Sequence, residues 1–237
     1  MSDSLVIIPT YNEHENIGRM VDTVFGLPQP FDLLIVDDGS PDGTGQLIKE
    51  LQEKYPDRLH LLERAGKLGL GTAYLDGFRW GLARSENYQY FFEMDADFSH
   101  TPADLIRLRA ACHDGPGDVA VGSRYVRGGK VENWPMDRII LSYGASVYTR
   151  LVTWMPVKDP TAGFMCYSRK VLEAMDLDKI RFIGYAFQIE MKYTARKLGF
   201  KIVEVPITFT DRVAGKSKMH KSIIREAVLG VLSLRFR

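Results

Sequence analysis

Five short apolar runs, each followed at once by polar or turn-forming residues, constrain the fold of this chain more than any other feature. The runs cover residues 5–8, 33–36, 59–62, 90–94 and 119–121. Such short, continuously apolar runs are typical of strands that are buried on both faces. Segments with helical periodicity lie between them. Strands that alternate with helices predict βαβ units, and therefore an α/β fold with a mostly parallel, Rossmann-like sheet flanked by helices.

The regular alternation fades after about residue 128. The pattern predicts a helix over 138–155, a turn at Asp159-Pro160-Thr161-Ala162-Gly163, a helix over 185–197 and a strand over 201–205. From residue 218 onward the spacing predicts an amphipathic helix, which either packs on the core or lies on an anionic membrane surface. We therefore expect one domain over 1–210 and a C-terminal extension over 211–237.

Composition excludes several classes of protein. The 237 residues carry a formal net charge of +1, so the chain is not a polycation and we expect no nucleic-acid partner. Its two cysteines have no metal-binding spacing, which predicts no disulfide framework and fits a reducing, cytoplasmic compartment. The sequence contains neither a secretory signal nor a run of about 18 apolar residues that could span a bilayer. Contact with a membrane would therefore be peripheral.

The strongest chemical motif is Asp95-Ala96-Asp97, directly after the fourth apolar run. Ligands of parallel sheets bind outside the carboxyl ends of the strands, which is where this motif lies. Two carboxylates two residues apart point the same way on an extended chain, and such a pair suits Mg²⁺ or Mn²⁺. The cation could bridge a diphosphate and stabilise it as a leaving group. The alternative is a polar exit from the strand with solvated carboxylates.

Two further strand ends carry polar residues. Asp37 and Asp38 begin a turn that runs to Thr44, and turn formation with helix capping explains about half of these residues. It does not require two aspartates, so one of them, Asp38 by preference, is a candidate for hydrogen bonding a ribose or a base edge. After the first run, Tyr11 could stack beside a nucleobase and Glu13 could accept a base N–H, although a simple helix start also explains this segment.

Basic residues follow the fifth run and the last predicted strand. Arg124 and Arg138 belong to the first group, and Arg212 and Lys218 to the second. Solvated charge is the ordinary explanation of such residues. Arginine, however, matches phosphate in a bidentate manner, and a site for two anionic substrates requires several cations.

Together these segments resemble glycosyltransferase family 2, and within it the dolichyl-phosphate (polyprenyl-phosphate) mannose synthases. Four further motifs add to the resemblance: Gly122-Ser123-Arg124-Tyr125, Gly128-Gly129-Lys130-Val131-Glu132-Asn133-Trp134-Pro135, Asp159-Pro160-Thr161-Ala162-Gly163-Phe164 and Gly215-Lys216-Ser217-Lys218-Met219. The resemblance implies a GT-A fold, a GDP-mannose donor, a polyprenyl or dolichyl phosphate acceptor and inversion of the transferred sugar.

The resemblance also assigns roles to individual residues. It implies nucleotide-sugar binding by Pro9, Tyr11, Glu13, Val36, Asp38, Asp95, Ala96 and Lys218; metal binding by Asp95, Asp97 and Ser99; acceptor-phosphate binding by Arg124 and Arg138; and catalytic roles for Asp97, Arg124 and Arg212. Ser99 stands where some relatives carry a metal-ligating glutamine. Its shorter side chain leaves water as the alternative third ligand.

Many relatives carry transmembrane helices after this domain. Their absence here implies a peripheral enzyme on the cytoplasmic face of a membrane, a shortened chain, or a chain that docks on an integral-membrane partner. The resemblance leaves a polyprenyl-phosphate glucosyltransferase that uses UDP-glucose as an alternative, since glucose and mannose versions share these motifs. A haloacid-dehalogenase-like phosphatase with Asp95 as its nucleophile is a more remote alternative, and it leaves Asp37 and Asp38 unexplained. A non-enzymatic module that binds a sugar nucleotide or a lipid is a third, and the intact Asp95, Asp97, Arg124 and Arg212 argue against it. A Rossmann dehydrogenase is disfavoured, because no glycine fingerprint follows the first run.

Overall fold

Strands and helices alternate along the chain as far as Ser123, which confirms the predicted βαβ order. The computed structural model describes residues 2–184, 186–211 and 230–235. The strands are β1 (Ser4–Thr10), β2 (Asp32–Asp37), β3 (Leu59–Glu63), β4 (Tyr90–Glu93), β5 (Val119–Ser123), β6 (Lys130–Glu132), β7 (Met165–Ser168), β8 (Ile202–Pro206) and β9 (Thr208–Thr210). The helices are α1 (His14–Phe25), α2 (Thr44–Lys54), α3 (Leu70–Leu82), α4 (Asp104–His113), α5 (Met136–Thr153), α6 (Arg169–Ala174) and α7 (Ala186–Lys197), with a short 3₁₀ helix at Leu177–Lys179.

Seven strands of the described part of the chain form one sheet in the order β3-β2-β1-β4-β7-β5-β8. Only β7 runs antiparallel to its neighbours, β4 and β5, and the other pairs of this sheet are parallel. The prediction of a mostly parallel sheet is therefore confirmed. The carboxyl ends of β1, β2, β4 and β5 meet at one edge, the edge at which the acidic and basic motifs lie. Strands β6 and β9 form a separate parallel pair beside it.

Apolar side chains cover both faces of the sheet. Successive residues of a strand point to opposite faces, so Ile7 packs in the core cluster that contains Tyr74 of α3, while Ile8 packs in the cluster that contains Met20 of α1. Helix α3 approaches β1 so closely that a Cβ on Gly77 would lie 2.6 Å from the Cγ2 of Ile7. This close packing holds α3 against β1, the strand whose carboxyl end leads into Tyr11 and Glu13.

The structure differs from the prediction at β7. The sequence pattern predicted only a turn in this region, because Met165-Cys166-Tyr167-Ser168 is short and contains no β-branched residue. The strand is stabilised instead by pairing on both sides, with β4 and with β5. The order of the sheet at the candidate site therefore follows from tertiary pairing that the local sequence does not encode.

The end of the first strand also differs from the prediction. Strand β1 does not end before Pro9 but continues to Thr10. Its pairing with β4 stops at Ile7, so Pro9 lies where β1 pairs on one side only and its missing N–H is tolerated. Helix α4 begins at Asp104, and Pro102 lies in the turn before it.

The predicted C-terminal extension falls mostly outside the described residues, which omit 212–229 and 236–237. Residues 230–235 are helical, and Val231 and Leu234 pack with Met155 and Ile189. Within the described ranges, none of the helices combines the length and the apolar character needed to cross a membrane. The two cysteines, distant in sequence, are neighbours in space, since the Sγ of Cys112 lies 3.8 Å from the carbonyl oxygen of Cys166.

Candidate functional site

The ends of β1 and β2 are joined by hydrogen bonds through Asp37. The hydroxyl of Thr10 donates to Asp37 Oδ1 at 2.8 Å, and the hydroxyl of Ser40 donates to the same oxygen at 2.6 Å. The backbone N–H of Asp38 donates to the carbonyl of Thr10 at 3.0 Å. Asp37 therefore builds the turn, and the prediction of a ligand-binding aspartate concerns Asp38.

The carboxylate of Asp38 is held by Arg64, which follows β3. Arg64 Nε donates to Asp38 Oδ1 at 2.7 Å, and its Nη1 donates to the hydroxyl of Thr72 at 2.8 Å and to Asp76 at 3.2 Å. Both partners of the Asp38–Arg64 pair are buried. A buried ion pair with this many hydrogen bonds fixes the orientation of its members. Sequence reasoning missed Arg64, because a single arginine after a strand belongs to no recognisable motif.

The loops after β1, β2 and β3 meet around Tyr11 and Glu13. The backbone N–H of Glu13 donates to the hydroxyl of Thr44 at 3.1 Å, which joins the first two loops. The ammonium of Lys67, from the third loop, lies 4.8 Å from the centre of the Tyr11 ring. Asn12 adopts φ of 61°, a left-handed conformation that asparagine tolerates well. These contacts hold Tyr11 and Glu13 next to Asp38 at the same sheet edge.

Three other predicted donor-site residues line this edge mainly with their backbone. Pro9 and Val36 are partners in the β1–β2 register. The side chain of Val36 is fully buried in the core, and that of Ala96 is nearly so. A nucleotide at this edge would therefore meet the main chain of Val36 and Ala96.

A tight turn after β4 carries Asp95 and Asp97. The backbone N–H of Ser99 donates to Asp97 Oδ1 at 3.0 Å, and Phe98 between them has φ of 59°. A bulky residue in this left-handed region is strained, and such strain is a feature of functional loops. Asp97 is buried, whereas 41% of the Asp95 side chain is exposed.

The oxygen atoms of this turn that could ligate a metal fit a hard divalent cation that a substrate also helps to bind. No three His, Cys, Asp or Glu side chains of the described residues converge on a common metal position. The turn offers the carboxylates of Asp95 and Asp97 and the hydroxyl of Ser99, which are all oxygen donors. Mg²⁺ is usually bound by one or two carboxylates together with water and substrate phosphates. The set therefore fits a cation that a diphosphate helps to bind.

His100 packs directly behind this turn. Its ring stacks on Phe164 with centroids 4.7 Å apart and meets Phe209 edge-on at 5.2 Å. Burial lowers the pKa of His100 to about 4, although the negative charge of Asp97 opposes this shift. The imidazole is therefore neutral at physiological pH and serves to pack the turn.

Arg124, directly after β5, is bound by Asp159 from the loop before β7. Arg124 Nε and Nη2 donate to the two oxygens of Asp159, each at 2.7 Å, and the Arg124 backbone N–H donates at 3.0 Å. Only 8% of the Arg124 side chain and none of the Asp159 side chain is exposed. Burial by itself raises the pKa of Asp159, but the charge and hydrogen bonds of Arg124 outweigh burial and hold the pKa below its usual range. Sequence reasoning noted the turn at Asp159 and missed this pairing.

Arg138 lies in the first turn of α5, and both its guanidinium group and that of Arg124 lie beside the ring of Trp134. The Arg138 guanidinium lies 3.9 Å from the centre of the Trp134 ring, and the Arg124 guanidinium lies 5.5 Å from the same centre. Arg138 Nη1 also donates to Asp211 at 2.8 Å. The two predicted acceptor-site arginines therefore share one aromatic neighbour. Arg212 and Lys218 lie outside the described residues.

The predicted residues thus follow strands that end at one edge of the sheet. Asp38 follows β2, Asp97 follows β4 and Arg124 follows β5, and each of these strands is two places from the next. Two places correspond to about 10 Å at the usual spacing of strands. An extended ligand along this edge would meet Asp38, then the Asp95–Asp97 turn, then the arginines.

Comparison with known proteins gives concordant results. Residues 5–176 match the family model described as Glycosyl transferase family 2. Polyprenol monophosphomannose synthase of Mycolicibacterium smegmatis is 51% identical over 228 residues, which cover 96% of this chain and 85% of that protein. Undecaprenyl-phosphate mannosyltransferase of Micrococcus luteus is 46% identical over 231 residues, which cover 96% of this chain and 91% of that protein.

A solved structure agrees in fold. A mannosyltransferase from Pyrobaculum calidifontis, in complex with GDP-Man and Mn²⁺, superposes with a TM-score of 0.62 over 98% of this chain and 69% of that chain. The sequence identity of 16% limits this likeness to the fold, which is the GT-A fold implied by the sequence resemblance. The family model covers most of the chain, and the two relatives are similar along nearly all of it. The chain is therefore a glycosyltransferase that belongs to glycosyl transferase family 2.

Proposed function

We propose that this protein transfers mannose from GDP-mannose to a polyprenyl phosphate, such as dolichyl phosphate, with inversion at the anomeric carbon. The observation that carries the proposal is the Asp95–Asp97 turn, which lies between Asp38 on one side and two arginines, Arg124 and Arg138, on the other. This order matches a nucleotide, a diphosphate and an acceptor phosphate bound in series. The sugar and the acceptor class come from the relatives, whose names state a mannose group and a polyprenyl phosphate.

On the donor side, Tyr11 and Glu13 would contact the base, and Asp38 would accept hydrogen bonds from the ribose. The ion pair with Arg64 supports this role for Asp38, because a carboxylate that is already oriented loses little freedom on binding. Pro9, Val36 and Ala96 would contribute close main-chain contacts. Lys218 would approach the diphosphate as a further cation.

Asp95 and Asp97, with Ser99 or water, would hold Mg²⁺ or Mn²⁺, which when bound neutralises charge on the departing diphosphate. The Ser99 N–H fixes the carboxylate of Asp97 for this purpose. Arg124, Arg138 and Arg212 would hold the acceptor phosphate and offset its repulsion from the donor. One phosphate oxygen then attacks the anomeric carbon, and the bond from that carbon to the diphosphate oxygen breaks, so that GDP leaves with the electron pair.

The reaction needs no general base, because an acceptor phosphate is already ionised at neutral pH. The catalytic requirement is to position two anions and to stabilise charge as it moves to the leaving group. The buried, neutral His100 is consistent with this mechanism, since it packs the turn. Membership in a glycosyltransferase family leaves the phosphatase and binding-module hypotheses without support.

A membrane surface is the partner that the exposed residues of α5 support. Of the eleven large apolar side chains that are exposed in the described residues, six lie on or next to this helix: Met136, Ile140, Leu141, Tyr143, Leu151 and Trp154. Exposed apolar residues that are concentrated in this way mark an interaction site, and Trp and Tyr favour the interface between lipid and water. Arg138 begins the same helix, so an acceptor phosphate bound there would keep its lipid tail beside this surface.

We place this contact on the cytoplasmic face of the membrane, since two free thiols fit a reducing compartment. The same surface of α5 would also suit an integral-membrane partner. In either case the lipid chain would not need to leave the membrane for its phosphate to reach Arg138.

The test is transfer from GDP-mannose to a short polyprenyl phosphate with Mn²⁺ or Mg²⁺, followed by mass spectrometry of the lipid. We expect one hexosyl group to be added. Asp97→Asn should lower the rate of transfer at least about 100-fold, because it replaces a negatively charged metal ligand by a neutral one. It keeps the oxygen that accepts from the Ser99 N–H. Asp114→Asn, at an exposed carboxylate beyond α4, is the matched control and should retain full activity. The proposal would be refuted if Asp97→Asn transferred mannose at the wild-type rate. It would also be refuted if UDP-glucose served as a donor and GDP-mannose did not.

A further inference from the structure

Building on the proposed function, we propose that Asp159 is a positioning residue that sets the orientation of Arg124 toward the acceptor phosphate. Arg124 is fixed through Asp159, and the loop that carries Asp159 is itself held by Glu204 and Lys192. The four side chains come from four separate segments of the chain. They form a support behind the acceptor half of the site.

Asp159 defines the plane of the Arg124 guanidinium. Its two oxygens accept from Nε and Nη2, and one of them also accepts from the Arg124 backbone N–H. Thr161 accepts a further hydrogen bond from Nη2 at 2.9 Å. A paired, planar contact of this kind fixes both the position and the tilt of an arginine. A guanidinium held in this way is oriented before the acceptor arrives.

Glu204 holds the backbone on which Asp159 lies. Its two carboxylate oxygens, presented by β8, accept from the backbone N–H groups of Lys158 at 2.8 Å and of Asp159 at 3.0 Å. One carboxylate thus binds two consecutive amides. The loop cannot shift along the sheet edge without losing both hydrogen bonds.

Lys192 holds the other end of the same loop. Its ammonium, fully buried on α7, donates to the carbonyl of Ala162 at 2.6 Å and to that of Gln188 at 3.1 Å. Burial of this charge is costly, and the charge of Glu93 opposes the lowering of the Lys192 pKa by burial. Because Ala162 lies three residues after Asp159, Lys192 fixes the far end of the loop on which Asp159 lies.

The loop also contacts the metal-binding half of the site. Gly122, two residues before Arg124, donates its N–H to the carbonyl of Phe164 at 2.8 Å, and Phe164 stacks on His100 behind the Asp97 turn. Arg124 and Asp97 therefore rest on one loop, residues 159–164. The orientation of the acceptor phosphate relative to the donor depends on this shared support.

The first experiment compares Asp159→Asn with wild type in steady-state kinetics. Asparagine has nearly the same shape, but it has only one acceptor oxygen and no charge. It therefore cannot accept hydrogen bonds from both Nε and Nη2 of Arg124. We expect the KM for the polyprenyl phosphate to rise about tenfold, while the KM for GDP-mannose stays within about twofold. Asp3→Asn is the matched control, since Asp3 also binds an arginine, Arg109, through two hydrogen bonds but at the opposite edge of the sheet.

A double-substitution cycle then tests whether Asp159 acts through Arg124. If it does, Arg124→Lys/Asp159→Asn should use the acceptor no worse than Arg124→Lys alone. Additive effects on the acceptor KM would overturn the inference. So would a lower acceptor KM in Asp159→Asn, because Asp159 would then act only by neutralising Arg124.

The outcomes separate this inference from the proposed function. An inactive wild-type protein contradicts the proposed function, whereas an active wild type with an unchanged acceptor KM in Asp159→Asn contradicts only the inference. Thermal unfolding shows whether a variant is folded. If Asp159→Asn does not fold, Thr161→Val decides in the same assay, because it removes the hydroxyl that accepts from Arg124 Nη2 and donates to Asp159 Oδ1. We expect its acceptor KM to rise at least about twofold with the donor KM unchanged, and equal acceptor KM values would overturn the inference.

Discussion

Asp32 is a buried aspartate at the amino end of β2, on the sheet edge opposite to the candidate site. Only 5% of the surface of Asp32 is exposed, and its carboxylate accepts a hydrogen bond from the hydroxyl of Tyr88 at 3.0 Å. Burial raises the pKa of Asp32 to about 6, and the Tyr88 hydrogen bond and the charge of Arg58 oppose the shift only in part. Its ionisation at neutral pH therefore costs stability and serves no part of the proposed reaction.

We predict that Asp32→Asn stabilises the protein at pH 7 and that the gain shrinks as the pH falls from 6 toward 4. A group whose pKa is raised in the folded state contributes stability below its unfolded pKa, and that contribution is lost as the pH rises through the folded pKa. At about 1.4 kcal/mol per pKa unit, the shift from 3.8 to about 6 corresponds to at most about 3 kcal/mol. Urea unfolding at pH 7 and pH 4 measures the difference, and a gain that does not change with pH would contradict the explanation.

Individual site residues differ in how far the sequence predicts them. Asp95 and Asp97 follow an apolar run, so their position at the strand end could be predicted from local pattern. Arg64, Asp159 and Glu204 could not, because each acts through a partner more than 20 residues away that only the tertiary structure brings near. A lone arginine or glutamate has the same local pattern whether it is solvated or holds a second charge in the site.

Among the strands and helices, length and apolar pattern decide which elements could be predicted from the sequence. The parallel strands β1, β2 and β3 are apolar runs bounded by turn residues, and α5 has 18 residues of helical pattern, so all were predicted. Strands β6, β7 and β9 have three or four residues each and were missed. Strand β4 has four residues as well, but its Tyr-Phe-Phe run is recognisably apolar, whereas the three missed strands have neither a long apolar run nor enough residues to show a period.

The exposed apolar side chains of helix α5 are expected to contact the membrane. Ile140→Glu and Leu151→Glu should each weaken binding to vesicles that contain anionic phospholipid by at least about tenfold. A buried apolar side chain contributes about 1.5–3 kcal/mol, and a carboxylate in the same place is also repelled by the lipid head groups. Sedimentation with sucrose-loaded vesicles measures the bound fraction. Leu198→Glu, at an exposed leucine after α7, is the control and should bind like wild type.

Wild-type binding by both α5 variants would show that another surface meets the membrane. A loss in the Leu198 control as well would point to a general effect of added negative charge, since the whole chain has a formal net charge of only +1. Activity on an acceptor in detergent separates the two roles of α5. Ile140→Glu should keep most of that activity, because it leaves Arg138 and its contacts with Trp134 and Asp211 in place.

The candidate site exists only when the complete sheet is assembled. It combines the ends of β1, β2, β4 and β5, which are distant in sequence and become neighbours through pairing and through the unpredicted strand β7. The unfolded chain therefore has no counterpart of the site. A ligand that binds here must stabilise the folded state as a whole.

We predict that GDP-mannose with Mn²⁺ at about one hundred times its dissociation constant raises the free energy of unfolding by about 2.7 kcal/mol. For a domain of this size, that corresponds to a rise in Tm of about 5–10 °C. UDP-glucose at the same concentration should give a clearly smaller rise, because the contacts of Tyr11 and Glu13 would be made to the wrong base. Removal of Mn²⁺ with a chelator, or Asp97→Asn, should abolish most of the shift. Differential scanning calorimetry measures the rise in Tm. An equal rise with both nucleotide sugars would exclude GDP-mannose as the preferred donor, and a rise that survives chelation would exclude a donor held through a cation on Asp95 and Asp97.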